Sequence, residues 1–154
     1  MPPKNETMAD IPEFASLDDF GAADTAEMNV VINGKPTGWF WTFAGPGHAK
    51  TIDQGNRLAR ERMHREKRQE QAQVNGKKYT AMDETVEDVR ERNISFVVER
   101  LVGWSQIRIS GDIFAFSVEN ARKILSDASR IALLGQAFEF LGDDQSFTRR
   151  SAGS

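Results

Sequence analysis

The stretch Met28-Asn29-Val30-Val31-Ile32-Asn33-Gly34-Lys35-Pro36-Thr37-Gly38-Trp39-Phe40-Trp41-Thr42-Phe43 sets the fold class. Two runs rich in β-branched and aromatic residues, 28–33 and 37–43, flank Asn33-Gly34-Lys35-Pro36, where glycine tolerates positive φ and proline presets a turn. The pattern predicts a β-hairpin. A period of two puts Trp39, Trp41 and Phe43 on one face and Phe40 on the other. These aromatics fit the core of a small sheet; the functional alternative is an aromatic anchor in a protein interface, where tryptophan is enriched. Only Lys35 supplies positive charge beside them, which argues against stacking on single-stranded nucleic acid.

Downstream, Ala44-Gly45-Pro46-Gly47-His48 breaks the strand. It lacks the Gly-Lys-Ser/Thr ending that would surround a phosphate with amides, an ammonium and a hydroxyl. Thr51 followed by Ile52 and Asp53 reads as an N-cap, and Asn75-Gly76 as a C-terminal stop, so a helix is expected over about 52–74. Six of its twelve residues from 57 to 68 are basic: Arg57, Arg60, Arg62, Arg65, Lys67 and Arg68. Glu61 with Arg65 and Glu66 with Arg62 stand at helical pairing distance. A helix this polar has a solvated side, and it protrudes or docks on a partner.

A polar linker, Lys77 to Met82, leads to a second helix opened by Thr85-Val86-Glu87-Asp88, which resembles a capping box. Val86, Val89, Ile94, Val97, Val98, Leu101 and Val102 give it a buried face, and Gly103 is expected to end it. Residues 104–109 alternate, Ser110-Gly111-Asp112 turns and 113–116 return, predicting a second hairpin. Ser117 caps a further helix, and Ser126-Asp127 restarts a last one that ends near Gly142. Phe147 is placed to dock locally from the tail.

The chain has 154 residues and a net charge of −3, and that small total hides a partition. Residues 1–27 carry −6, and residues 50–78 carry +5. The acidic segment has Pro2, Pro3 and Pro12 but few apolar residues, so alone it buries too little to offset its ordering entropy. Its apolar residues Ile11, Phe14, Leu17 and Phe20 recur every three positions, the pattern of a segment that folds on a partner or on its own basic helix. The expected organisation is α+β: two short antiparallel β-hairpins with three to four α-helices. A flexible acidic arm (1–27), a single domain (28–145) with the protruding charged helix, and a flexible tail (146–154) divide the chain.

Chemistry is sparse. There is no cysteine, and the two histidines, His48 and His64, have no metal-ligand spacing. No serine sits in a nucleophile elbow, and Asp143-Asp144 lacks a calcium-loop pattern. The reading is therefore a non-enzyme with no cofactor. No apolar window approaches 18 residues and the first residues lack an apolar signal core, so neither a membrane span nor secretion is expected. A nucleic-acid binder would be basic throughout, which this chain is not.

Two blocks carry a family resemblance. The first is Val30-Val31-Ile32, Pro36-Thr37-Gly38-Trp39 and Ala44-Gly45-Pro46-Gly47, followed by the Arg/Glu helix. The second is Val98-Glu99-Arg100-Leu101-Val102-Gly103-Trp104, a hairpin about a glycine, then Phe116-Ser117-Val118-Glu119-Asn120-Ala121-Arg122-Lys123-Ile124-Leu125. Over residues 28–145 this cadence resembles the tail assembly chaperones of tailed phages and prophages. The resemblance implies a non-enzymatic protein of the host cytoplasm that covers unassembled tail tube or tape-measure protein until polymerisation, with homo-oligomers as a further option. Many such chaperones also occur in a frameshift-extended form, absent here, which leaves a minor structural protein retained in the particle as the alternative. The residues expected to meet a partner are Trp39, Trp41, Phe43, Arg57, Arg60, Arg62, Arg65 and Arg68.

Overall fold

The structure is a computed structural model and describes residues 21–76 and 84–148. In chain order its elements are β1 (Thr25–Ile32), β2 (Lys35–Ala44), α1 (Ala49–Val74), α2 (Val86–Arg100), β3 (Leu101–Trp104), β4 (Arg108–Ile109), β5 (Asp112–Ile113), α3 (Val118–Ser126) and α4 (Ile131–Gly142). Short 3-10 turns at Ala128–Arg130 and Asp144–Phe147 complete the described residues. The architecture is α+β, with an antiparallel sheet in the order β1-β2-β3 and a separate β4–β5 hairpin. The linker 77–82 and the first twenty residues of the acidic arm lie outside the described residues.

The first hairpin forms where the sequence places it, with a tighter turn. Asn33 and Gly34 both take positive φ (52° and 78°), which makes a two-residue turn. Lys35 and Pro36 are already in β2, opposite Ile32 and Val31. Farther along, Thr37, Gly38 and Trp39 oppose Val30 alone, and Gly38 absorbs this irregularity at φ 80°. Asn29 Oδ1 accepts from the Gly38 amide, and the Thr37 hydroxyl donates to Val30 O.

One expectation is corrected after α2. The helix ends at Arg100 rather than at Gly103, and residues 101–104 form β3 against β2. Leu101 and Trp104 lie three apart, so a regular strand would send them to opposite faces. An irregularity at Val102 restores them to one face: Leu101 stands opposite Phe43, and Trp104 opposite Trp41. The spacing 97, 98, 101 suits a helix as well as this junction, and only the free side of β2 selects the strand. Trp104 thereby leaves the second hairpin, which shrinks to Arg108–Ile109 and Asp112–Ile113 around Ser110-Gly111.

The core lies on one face of the sheet. Ala26, Met28 and Val30 of β1, Trp41 and Phe43 of β2, and Leu101 meet Ile94, Val97 and Val98 of α2. Ala121 and Leu125 of α3 and Leu134 and Ala137 of α4 close the layer. The caps at Thr85 and Ser117 form as expected, Thr85 with Asp88 in a reciprocal box. The domain boundaries move outward at both ends. β1 begins at Thr25, the Ala23 amide donates to Phe147 O (2.8 Å), and Ala22 pairs with Thr148. Phe147 is buried against Phe140, so the docking expected of it occurs and includes the segment before it.

β1 is an edge of the sheet, and its exposed backbone is partly sealed by a side chain. Gln136 on α4 donates Nε2 to Val31 O and accepts from Val31 N at Oε1, both at 2.8 Å, imitating a neighbouring strand. Replacing it, Gln136→Leu, removes both bonds at similar volume and is expected to cost roughly 1–3 kcal/mol in urea unfolding. Concentration-dependent association should rise alongside, measurable by light scattering. An unchanged midpoint would mean that the seal contributes nothing.

Candidate functional site

The candidate site is α1. It starts three residues earlier than expected, and its N-cap is His48, whose Nδ1 accepts from the Lys50 amide. Thr51 sits inside the first turn instead and donates its hydroxyl to Ala44 O. Asn75 and Gly76, the latter at φ 68°, end the helix as the sequence indicates. The inner turns are fastened to α2: Gln54 Nε2 donates to Phe96 O (3.0 Å), and Arg57 forms a two-pronged pair with Glu99 (2.6 and 2.8 Å). Arg57 also bonds Glu61 (3.1 Å), and the Glu99 hydrogen bond, followed by Glu61's, raises its pKa above the ordinary value.

Arg57 is therefore a structural cation that fastens α1 to α2, with its side chain still 41% exposed. Its charge is spent on Glu99, 42 residues away in sequence, a pairing that no local spacing announces. The intrahelical pairs expected between Glu61 and Arg65 and between Arg62 and Glu66 do not form; Glu61 turns to Arg57. Arg60, Arg62, Arg65, Lys67 and Arg68 are exposed and make no ion pair among the described residues. From residue 60 to 71 every side chain of α1 is exposed. Along its whole length α1 carries Ile52, Ala59, Met63 and Val74 on one line of a 3.6-residue helix, on the side away from Gln54, Arg57 and Glu61. Ile52 is 50% exposed, Met63 65% and Val74 87%.

Two of the three aromatics expected to meet a partner are core residues. Trp41 and Phe43 have no exposed surface at all, because the sheet face that carries them is the core. They cannot present their rings to a partner while the domain is folded. Trp39 is half-buried, lies edge-on to Trp41 (5.2 Å) and Trp104 (5.6 Å), and donates its indole N–H to Ser105 O. The period-two reading of the face holds; burial withdraws Trp41 and Phe43 from docking, while Trp39 stays partly exposed.

Sequence reasoning missed two features because each assembles from distant segments. The first is a junction at Ala44 and Gly45. Ala44 O accepts from Arg100 Nε (3.1 Å) and Nη2 (2.6 Å) as well as from Thr51, while Gly45 N donates to Asp24 O (2.7 Å). Arg100 is buried, which pulls its pKa below the usual arginine range, and its guanidinium lies over the Phe147 ring. The second is a groove of about 580 Å³ between the two hairpin tips and the start of α4. Val30, Trp39, Ile107, Phe114 and Leu133 line it, with Arg108 and Arg130 at its rim. Arg130 is paired with Asp127, whose carboxyl is held below its usual range mainly by hydrogen bonds from Ser129.

Among the described residues no group of three or more histidine, aspartate or glutamate side chains could hold a metal ion. No helix among them is long and apolar enough to cross a membrane. Comparison with protein families, curated proteins and solved structures finds no match to this chain.

Proposed function

We propose that this chain is a non-enzymatic phage or prophage morphogenesis protein of the tail-assembly-chaperone kind, which binds unassembled tail tube or tape-measure protein through the outer half of α1. The observation that carries this reading is the exposed stretch Arg60–Arg68, whose unpaired cations surround the helix and border the exposed side chains of Ile52 and Met63. Unpaired cations on an exposed helix are available to a partner surface of opposite charge. The core aromatics support the reading indirectly, since they pack against α2, to which α1 is fastened. The cadence of residues 28–145 supplies the partner class.

Co-expression with tail tube and tape-measure proteins of the same genome tests the proposal. Retention on either protein is expected, and Arg60→Glu/Arg65→Glu should weaken it by at least about tenfold, or 1.4 kcal/mol. Surface reversals of this kind leave stability nearly unchanged, so the thermal midpoint is the control. Retention by neither protein, or retention indifferent to the reversal, would overturn the assignment. Mass spectra of purified particles separate the two kinds of tail protein: a chaperone is absent, and a minor structural protein is present.

A further inference from the structure

The geometry points to the chain's own first twenty residues as the occupant of the exposed line on α1, held there in cis and running antiparallel to the helix. Three observations converge on this occupant. The first is where the segment enters the domain. Asp24 O accepts from Gly45 N, and the Gly45 α-carbon is pressed against Ala23 O, so Gly21–Asp24 is fastened four residues ahead of α1. The described chain thus begins within three residues of the contact at Gly45, near the N-terminal end of α1, whereas the groove between the hairpin tips lies at the other end of β1.

The second is reach. From Ala49 to Arg68, α1 rises about 28 Å at 1.5 Å per residue. Twenty residues span about 30 Å as a helix and about 66 Å when extended, so either form covers the line. The third is complementarity. Residues 1–20 carry Glu6, Asp10, Glu13, Asp18 and Asp19 against Lys4, and interleave Ile11, Phe14, Leu17 and Phe20. The side of α1 that carries Ile52, half-buried Ala59 and Met63 also carries Arg60, Arg62 and Lys67, which outnumber Glu66 and Glu70 on the same side and leave it net positive. A second copy of α1 is the poorer occupant, because it would bring the same excess of arginine against itself. Tethering makes the local concentration of the arm on the order of millimolar, so weak individual contacts suffice.

Docked in this way, the arm shields the apolar line and the free cations until a partner that binds more tightly displaces it. The surface is an acid-specific docking face, and the arm is its resident competitor. This inference stands without any tail protein, and its test contains none.

The chain has no cysteine, so Ser16→Cys accepts a single nitroxide label on the full-length protein. Loss of amide NMR signal is expected across residues 52–63 of α1 in the labelled chain. The loss should disappear at 1 M salt, where screening acts beyond about 3 Å. It should also disappear in Arg60→Glu/Arg62→Glu/Lys67→Glu, and in Phe14→Ser/Leu17→Ser, which alters only the arm. A mixture of labelled chain with isotope-enriched unlabelled chain should show no loss, as an arm held in cis requires. Undiminished α1 signals in the labelled chain would overturn the inference, and so would a loss seen only in the mixture. Either result leaves the tail-binding assay to stand or fall by itself.

Discussion

Trp41→Ala is expected to remove about 3–5 kcal/mol of stability, the range for deleting a large buried aromatic side chain. Trp41 has no exposed surface and packs against Trp39, Trp104 and Phe43, with ring centroids 5.2, 5.8 and 6.2 Å away. The surrounding rings come from two strands and are fixed by pairing, so they cannot collapse into the space. For a domain whose total stability is typically about 5–15 kcal/mol, the variant lies close to unfolding. Urea unfolding followed by tryptophan fluorescence measures the loss. Trp41→Phe is the informative companion. The Trp41 indole N–H has no acceptor among the described residues, so phenylalanine discards an unpaired buried donor and keeps most of the ring contact. The companion should therefore lose much less than the alanine variant. An alanine variant with an unshifted midpoint would remove Trp41 from the core and reopen its candidacy as a partner anchor.

Gly45→Ala is the second large effect, and it acts on backbone rather than on a cavity. A Cβ at this position would stand 2.1 Å from Ala23 O and 3.1 Å from Asp24 O. Neither atom can rotate away as a side-chain end can, so the segment 21–24 must shift or Gly45 must leave its place. Moving it breaks the 2.7 Å bond from Gly45 N to Asp24 O and disturbs Ala44 O, on which Arg100 and Thr51 converge. A loss of about 3 kcal/mol is expected, the upper part of the range for overpacking. Gly47→Ala is the control: a Cβ there meets nothing within 4 Å, and a change within about 0.5 kcal/mol is expected. Thermal unfolding of the pair decides the matter, and equal midpoints would mean that the contact at Gly45 is not a constraint. Gly45→Ala also moves the point at which residues 1–20 enter the domain, so the nitroxide contacts on α1 should weaken in this variant.

The sequence by itself determined what neighbouring residues decide between them. Asn33-Gly34 made the first hairpin because its positive φ angles are local. Alternation put Trp39, Trp41 and Phe43 on one face because Cβ directions alternate in any strand. Thr85 with Asp88, Ser117 and Asn75-Gly76 marked helix ends because capping bonds span only a few residues. The basic run of α1 was equally plain. Each of these is a contact within one or two turns, where chain connectivity alone supplies the partner.

Tertiary structure decided everything that needed a partner from far along the chain. Residues 101–104 satisfy helix periodicity as well as they satisfy a strand, and only the unpaired edge of β2 makes the strand the better solution. Arg57 looked like its neighbours Arg60 and Arg62 until folding brought Glu99 beside it. The face that carries Trp41 and Phe43 became core rather than docking surface because α2, α3 and α4 pack on it. The division of the arginines into a structural one and free ones belongs to the same level. Periodicity states which residues share a face, and it says nothing of what covers that face. The cover is chosen by burial and by loop closure over long separations, and those free energies are settled only when the whole chain has folded.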